Sequence, residues 1–141
     1  MTPEQVELVQ QSFAKVAPIS EQAAVLFYNR LFEVAPSVKA MFPADMTEQR
    51  KKLMATLAIV VNGLGHLESV LPAASALAKR HVSYGARSDH YPVVGGALLW
   101  TLEKGLGEAW TPETAAAWTA AYATLSGYMI SEAYGSPQAA D

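Results

Sequence analysis

The sequence predicts an all-α domain, and three observations carry that reading. Apolar residues recur every three or four positions through six successive segments, as one face of a helix requires. Pro, Gly and Ser/Thr/Asp positions punctuate the ends of those segments. No segment alternates apolar and polar residues strictly enough for a strand, and no unit recurs at a period of about 20 to 50 residues.

Thr2-Pro3-Glu4 supplies an N-cap, a proline at the first helical position and an acid in the first turn, after which Val6, Val9, Phe13 and Val16 share a face. This helix is expected to run to about Ala17, with Pro18 as its stop. Ser20 is expected to cap the second, whose Ala24, Phe27, Tyr28, Leu31 and Phe32 keep the period as far as Pro36 and place Tyr28 inward. Residues 37–42 suffice for one or two turns, Pro43-Ala44-Asp45 redirects the chain, and Thr47 is expected to cap a long third helix carrying Leu53, Leu57, Val60, Val61 and Leu64. Gln49 lies four residues before Leu53, which aims a polar amide at the same face as a leucine.

A fourth helix is expected after Pro72 and should end near Tyr84-Gly85. Leu71, Ala74, Leu77, Ala78 and His81 share its inner stripe, with Lys79 and Arg80 beside it. His66 lies in the connector before it. Asp89 is expected to cap the fifth, with Pro92 in its first turn, Val93, Val94, Ala97, Leu98, Leu102 and Leu106 as its apolar positions, and Gly95-Gly96 permitting close packing. Thr111-Pro112-Glu113 repeats the opening signal, and Trp118, Tyr122, Leu125, Met129 and Ala133 carry a sixth helix to about Tyr134. Residues 1–134 are expected to form one domain and residues 135–141 a disordered tail.

A chain of 141 residues suits a single core. An apolar fraction of 51% against 16% charged excludes a disordered chain. The net charge of -3, with Lys and Arg spread along the chain, offers no footprint for nucleic acid or an anionic membrane. No cysteine is present, which excludes disulfides, thiolate metal sites and cysteine nucleophiles. The N-terminus has no basic region followed by an apolar run, and no segment is apolar enough to span a bilayer, so a cytoplasmic location is expected.

Several motifs dissolve on inspection. Gly105-Leu106-Gly107 lacks the Lys and Ser/Thr of a phosphate loop and follows no strand. Ser88-Asp89-His90 are neighbours on one turn and cannot form a catalytic relay. The spacings of His66, His81 and His90 give no pair four apart on one helix, as a helical zinc site uses. Glu132 and the other acids show no paired arrangement for glycoside chemistry. What remains is a set of polar groups entering the interior from different helices: Tyr28, Gln49, His81, Tyr91 and Tyr122. An unpaired buried polar group costs about 1 to 3 kcal/mol, so their concentration points to a pocket. Periodicity alone leaves two roles open for His81, a satisfied core histidine or a metal ligand.

Phe27-Tyr28-Asn29-Arg30-Leu31-Phe32 with Pro36, then Phe42, Gln49 and Leu53, Lys79-Arg80-His81, His90-Tyr91-Pro92-Val93-Val94-Gly95, and Ala117-Trp118 with Tyr122 recur in that order in a known family. On those residues the chain resembles bacterial haemoglobins, the single-domain globins related to the haem domain of flavohaemoglobins. The resemblance implies a globin fold around a pocket holding haem b, with His81 as the iron ligand. It implies that Tyr28 and Gln49 act on the bound gas and that Phe42 packs on the haem, with Leu53, Tyr91, Val94 and Tyr122 also at the cofactor. Arg80 beside the ligand, and Lys51 after Gln49, are placed to reach the haem edge. A glutamate that the family often sets in its last helix corresponds to position 133, which is alanine here. Glu132 comes one residue earlier, about 100° around the helix and away from that role. A backbone carbonyl near Leu77 is the expected acceptor for the imidazole instead.

The function so implied is reversible dioxygen binding at ferrous iron, with nitric oxide dioxygenase activity as its enzymatic form. No flavin or nicotinamide segment follows the globin match, so turnover is expected to need an external reductase. The alternative is an oxygen-storage or gas-sensing globin without turnover. Dioxygen and nitric oxide are the expected small partners, no nucleic acid or membrane is expected, and a monomer or weak homo-oligomer is expected.

Overall fold

The computed structural model describes residues 2–83 and 90–134, without the side chains of residues 67, 80–83, 133 and 134. Among the described residues, six helices joined by short 3-10 turns make up the regular structure and no strand occurs. Helix α1 (Pro3–Val16) starts as its sequence predicts. Thr2 Oγ1 accepts the Gln5 N–H at 3.1 Å and Gln5 Oε1 accepts the Thr2 N–H at 3.0 Å, a reciprocal cap with Pro3 just inside it. Val9, Phe13 and Val16 are buried. The apolar pattern does not reveal a polar pin between α1 and α6 (Pro112–Tyr134): the buried Trp118 Nε1 donates to Ser12 Oγ at 2.8 Å.

Three expected helix starts need correction. Ser20 is the first residue of α2 (Ser20–Val34), not its cap, and no side chain caps that end. The reason is local: a 3-10 turn over Ala17–Ile19 runs straight into α2, and the Ser20 N–H already finds the Ala17 carbonyl. Thr47 likewise opens α3 (Thr47–Asn62), and Asp45 two residues upstream accepts its N–H at 3.0 Å. Those bonds from Thr47 hold the Asp45 carboxyl below its usual range. Third, α4 (Leu67–Ser83) begins five residues before Pro72, which sits inside it. The proline forfeits the bond to the Glu68 carbonyl, near the start of the helix and beside the exposed Glu68 and Ser69.

Helix α5 is His90–Leu106. The expected end of α4 at Tyr84-Gly85, the cap at Asp89 and the tail at 135–141 lie outside the described residues. Helix α6 packs on α1 and α4, α2 on α5 and α3, and α3 also reaches α1. Helix α4 leans chiefly on α6 and on the 3-10 turn over Leu64–His66. Its Val70 presses so closely on Gly63, at the end of α3, that a Cβ at position 63 would overlap it. The helix bearing Gln49 thus packs chiefly on α2 and α1, and the helix bearing His81 chiefly on α6. Among the described residues, no helix is long and apolar enough to cross a membrane.

Candidate functional site

Helix α2 carries Tyr28 on the same face as Ala24 and Leu31, and all three are buried, with Tyr28 only 5% exposed. Helix α3 brings the half-buried Gln49 to it, and Gln49 Nε2 donates to Tyr28 Oη at 3.1 Å. Aromatic rings enclose the phenol. Phe27 meets it edge to face at 4.9 Å between centroids, Phe42 does so at 5.5 Å, and Phe32 lies 5.9 Å away while also touching Phe42. Phe32 was legible only as a helical core position, although its place four residues after Tyr28 on one face is the signal that it lines the site.

This environment fixes the state of the phenol. Burial pushes the Tyr28 pKa above 10.0, and the Gln49 bond only partly offsets it, so the hydroxyl is neutral at physiological pH. Because Tyr28 Oη already accepts from Gln49, its own hydrogen is left to point at another acceptor, and an accepted bond strengthens a donated one. Leu53, one turn after Gln49, lines a small apolar cavity of about 10 Å³ with Phe27, Leu57, Leu98 and Thr101. The Thr101 hydroxyl is bonded to the Ala97 carbonyl at 2.9 Å, so nothing in that lining seeks water.

The aromatic residues of α5 and α6 form a second cluster. Tyr91 is buried in the first turn of α5, and its backbone carbonyl accepts the Tyr122 hydroxyl from α6. The Tyr122 ring lies against Gly95, where a Cβ would come within 2.5 Å of Cε2. Gly95 thus admits a side chain rather than a second backbone, and Gly96 is open to solvent. Burial, followed by the neighbouring Tyr91, pushes the Tyr122 pKa well up. Val94 is half-buried against the core.

His81 and Arg80 occupy the last turns of α4, and their side chains lie outside those described. Lys51 is exposed and pairs with Glu48 at 3.8 Å, a contact that contributes little to stability. Glu132 accepts the Ser75 hydroxyl of α4 at 2.7 Å, a partner that periodicity did not suggest. Among the described residues, no three of His, Cys, Asp or Glu gather as a protein-only metal site. The donor set fits a flat apolar cofactor instead: an aromatic wall with one buried, neutral hydroxyl on α2, its amide partner on α3, and a histidine carried by α4.

A family model described as Globin matches residues 25–129. A flavohemoprotein of Rhodopirellula baltica is 32% identical over 128 residues, covering 89% of this chain and 31% of that protein. The chain thus spans about a third of the length of the flavohemoproteins it matches, one from Bordetella parapertussis included, at 31% identity and 33% coverage. An anaerobic nitrite reductase of Physcomitrium patens is 27% identical, with 97% of this chain and 84% of that protein covered. A bacterial globin structure from Campylobacter jejuni superposes with a TM-score of 0.83 at 26% identity, over 93% of this chain and 95% of that one.

Proposed function

The chain belongs to the globin family, whose members bind gases at a haem iron, and from that premise we propose that it binds dioxygen and oxidises nitric oxide to nitrate. The observation that carries the proposal is the part-buried Tyr28–Gln49 hydrogen bond beside an aromatic cage. Haem b, when bound, supplies a ferrous iron that takes a diatomic gas and exchanges one electron with it. His81 is the residue proposed to hold that iron, Phe42 and Leu53 to border the cofactor, Val94, Tyr91 and Tyr122 to complete the pocket from α5 and α6, and Arg80 to meet its edge.

Tyr28 would donate its hydroxyl hydrogen to the outer atom of a polarised gas ligand. Gln49 acts through Tyr28, holding the phenol oxygen so that the hydrogen faces away from the amide. One such bond contributes about 1 to 2 kcal/mol, which slows ligand release roughly five- to thirtyfold. Leu53 and the dry lining behind it keep water from competing for the hydroxyl. Conversion of nitric oxide to nitrate leaves the iron oxidised by one electron, so an external reductase would restore it, in the cytoplasm.

A second reading is favoured by the length match to the plant nitrite reductase: one-electron reduction of nitrite, which consumes protons. Tyr28 speaks for the first reading, because the bond it accepts from Gln49 leaves its own hydrogen to be donated to a bound gas. Rapid mixing of the oxygenated protein with nitric oxide tests the choice. Stoichiometric nitrate is expected. Slow gas release without nitrate would leave a storage or sensing globin, and anaerobic nitric oxide production from nitrite would favour the second reading.

A further inference from the structure

Helix α4 buries Val70, Ala74 and Ala78, and its main neighbour is α6. Alanines let two helices approach closely, but a smooth face of methyl groups resists sliding poorly, because each shift exchanges one small contact for another. A directed polar bond is what sets the register of such a pair. The described residues carry one across this interface. Ser75 Oγ of α4 donates to Glu132 Oε1 of α6 at 2.7 Å, and Tyr128, one turn earlier on α6, donates to the same oxygen at 3.4 Å. Both donors converge on that one oxygen. The Tyr128 pKa is raised by burial and by the Glu132 charge, so this donor keeps its hydrogen at neutral pH.

We propose that Glu132 is a positioning residue for His81: its bond to Ser75 locks α4 in register on α6, and so sets where the iron ligand sits. Ser75 precedes His81 by six residues on one continuous helix, about 9 Å of axial rise, so a register shift at Ser75 is transmitted to position 81. The carboxylate then acts on the backbone of the ligand's helix and not on the imidazole. This inference rests on the haem reading above for its consequence, while the lock itself does not depend on haem.

The test compares the full-length wild type with S75A, E132A, E132Q and the S75A/E132A double variant. Haem loss to excess apomyoglobin should accelerate about three- to tenfold in S75A and E132A. The double variant should lose haem no faster than E132A, because E132A already removes the bond that S75A breaks. E132Q retains an oxygen acceptor for Ser75 and should stay within about twofold of wild type. The iron–histidine stretching band of the ferrous protein should shift in E132A and return in E132Q. Lowered thermal stability with haem loss and that band unchanged would overturn the proposal, and so would additive effects in the double variant. If the wild type takes up no haem, the functional reading fails. Amide exchange over residues 70–79 of the haem-free chain then judges the lock: at least threefold faster exchange in E132A supports it, and equal exchange overturns it.

Discussion

The α2/α3 face and the α4/α6 face are built on opposite plans. Around Tyr28 a single neutral, part-buried polar pair sits among the rings of Phe27, Phe32 and Phe42, so its geometry is fixed by packing. Helix α4 has one principal neighbour, small residues at the contact, and a polar lock at a more exposed site. Packing from many sides fixes a side chain to tenths of an ångström, whereas one interface fixes a helix only along the directions its bonds resist. On the proposed reading, the first wall would recognise a gas molecule of two atoms, and the second would carry the histidine that holds a large cofactor.

Removing the anchor gives the largest expected effect. His81→Ala should yield a protein without the strong haem absorption band near about 400 nm, while its far-ultraviolet circular dichroism remains helical. A full haem band in that variant would remove His81 from the ligand role and with it the contrast between the walls. On the other wall, Tyr28→Phe should speed dioxygen release about tenfold, the loss of one hydrogen bond. Because Gln49 acts through the phenol, Gln49→Ala should add little to Tyr28→Phe in the double variant. Additive rates would show that the amide touches the gas directly. A smaller effect is expected at Gly95→Ala. The new methyl group displaces the Tyr122 ring at a cost of about 1 to 3 kcal/mol, against a helix-propensity gain of about 1, so melting should fall by a few degrees. An unchanged melting temperature would show that the ring moves freely.

The helices were legible because their faces are periodic, and the α1 cap was legible because both of its partners lie within four residues. The starts of α2, α3 and α4 were misread for one reason. Ser20, Thr47 and Pro72 each carry a local signal that its neighbours override: a 3-10 turn before Ser20, the Asp45 carboxylate before Thr47, and five helical residues ahead of Pro72. Tyr28 and Gln49 were legible as inward polar residues on separate helices. Their bond to each other was not, since it joins positions 21 residues apart and needs the crossing of α2 and α3. The partnership of Ser75 with Glu132, 57 residues apart, was hidden in the same way. Resemblance singled out the glutamate without saying where its carboxylate goes.

The smallest effect concerns pH, and it distinguishes the tyrosines of the two regions. Tyr28 and Tyr122 are both raised above 10.0, Tyr28 by burial against the counteracting Gln49 bond and Tyr122 by burial and then by Tyr91. A pKa higher in the folded state means that the unfolded chain gives up its proton first as pH rises. The stabilisation by these phenols is therefore whole below about pH 10, the unfolded value, and is lost as pH climbs from there toward the folded pKa. Urea unfolding of the wild type should show stability falling more steeply above about pH 10 than in Tyr28→Phe or in Tyr122→Phe. At neutral pH, Tyr122→Phe also loses the bond to the Tyr91 carbonyl, so its curve should start lower and run flatter. Equal slopes in all three proteins would mean that the phenols ionise as they do in water, and that burial does not perturb either hydroxyl.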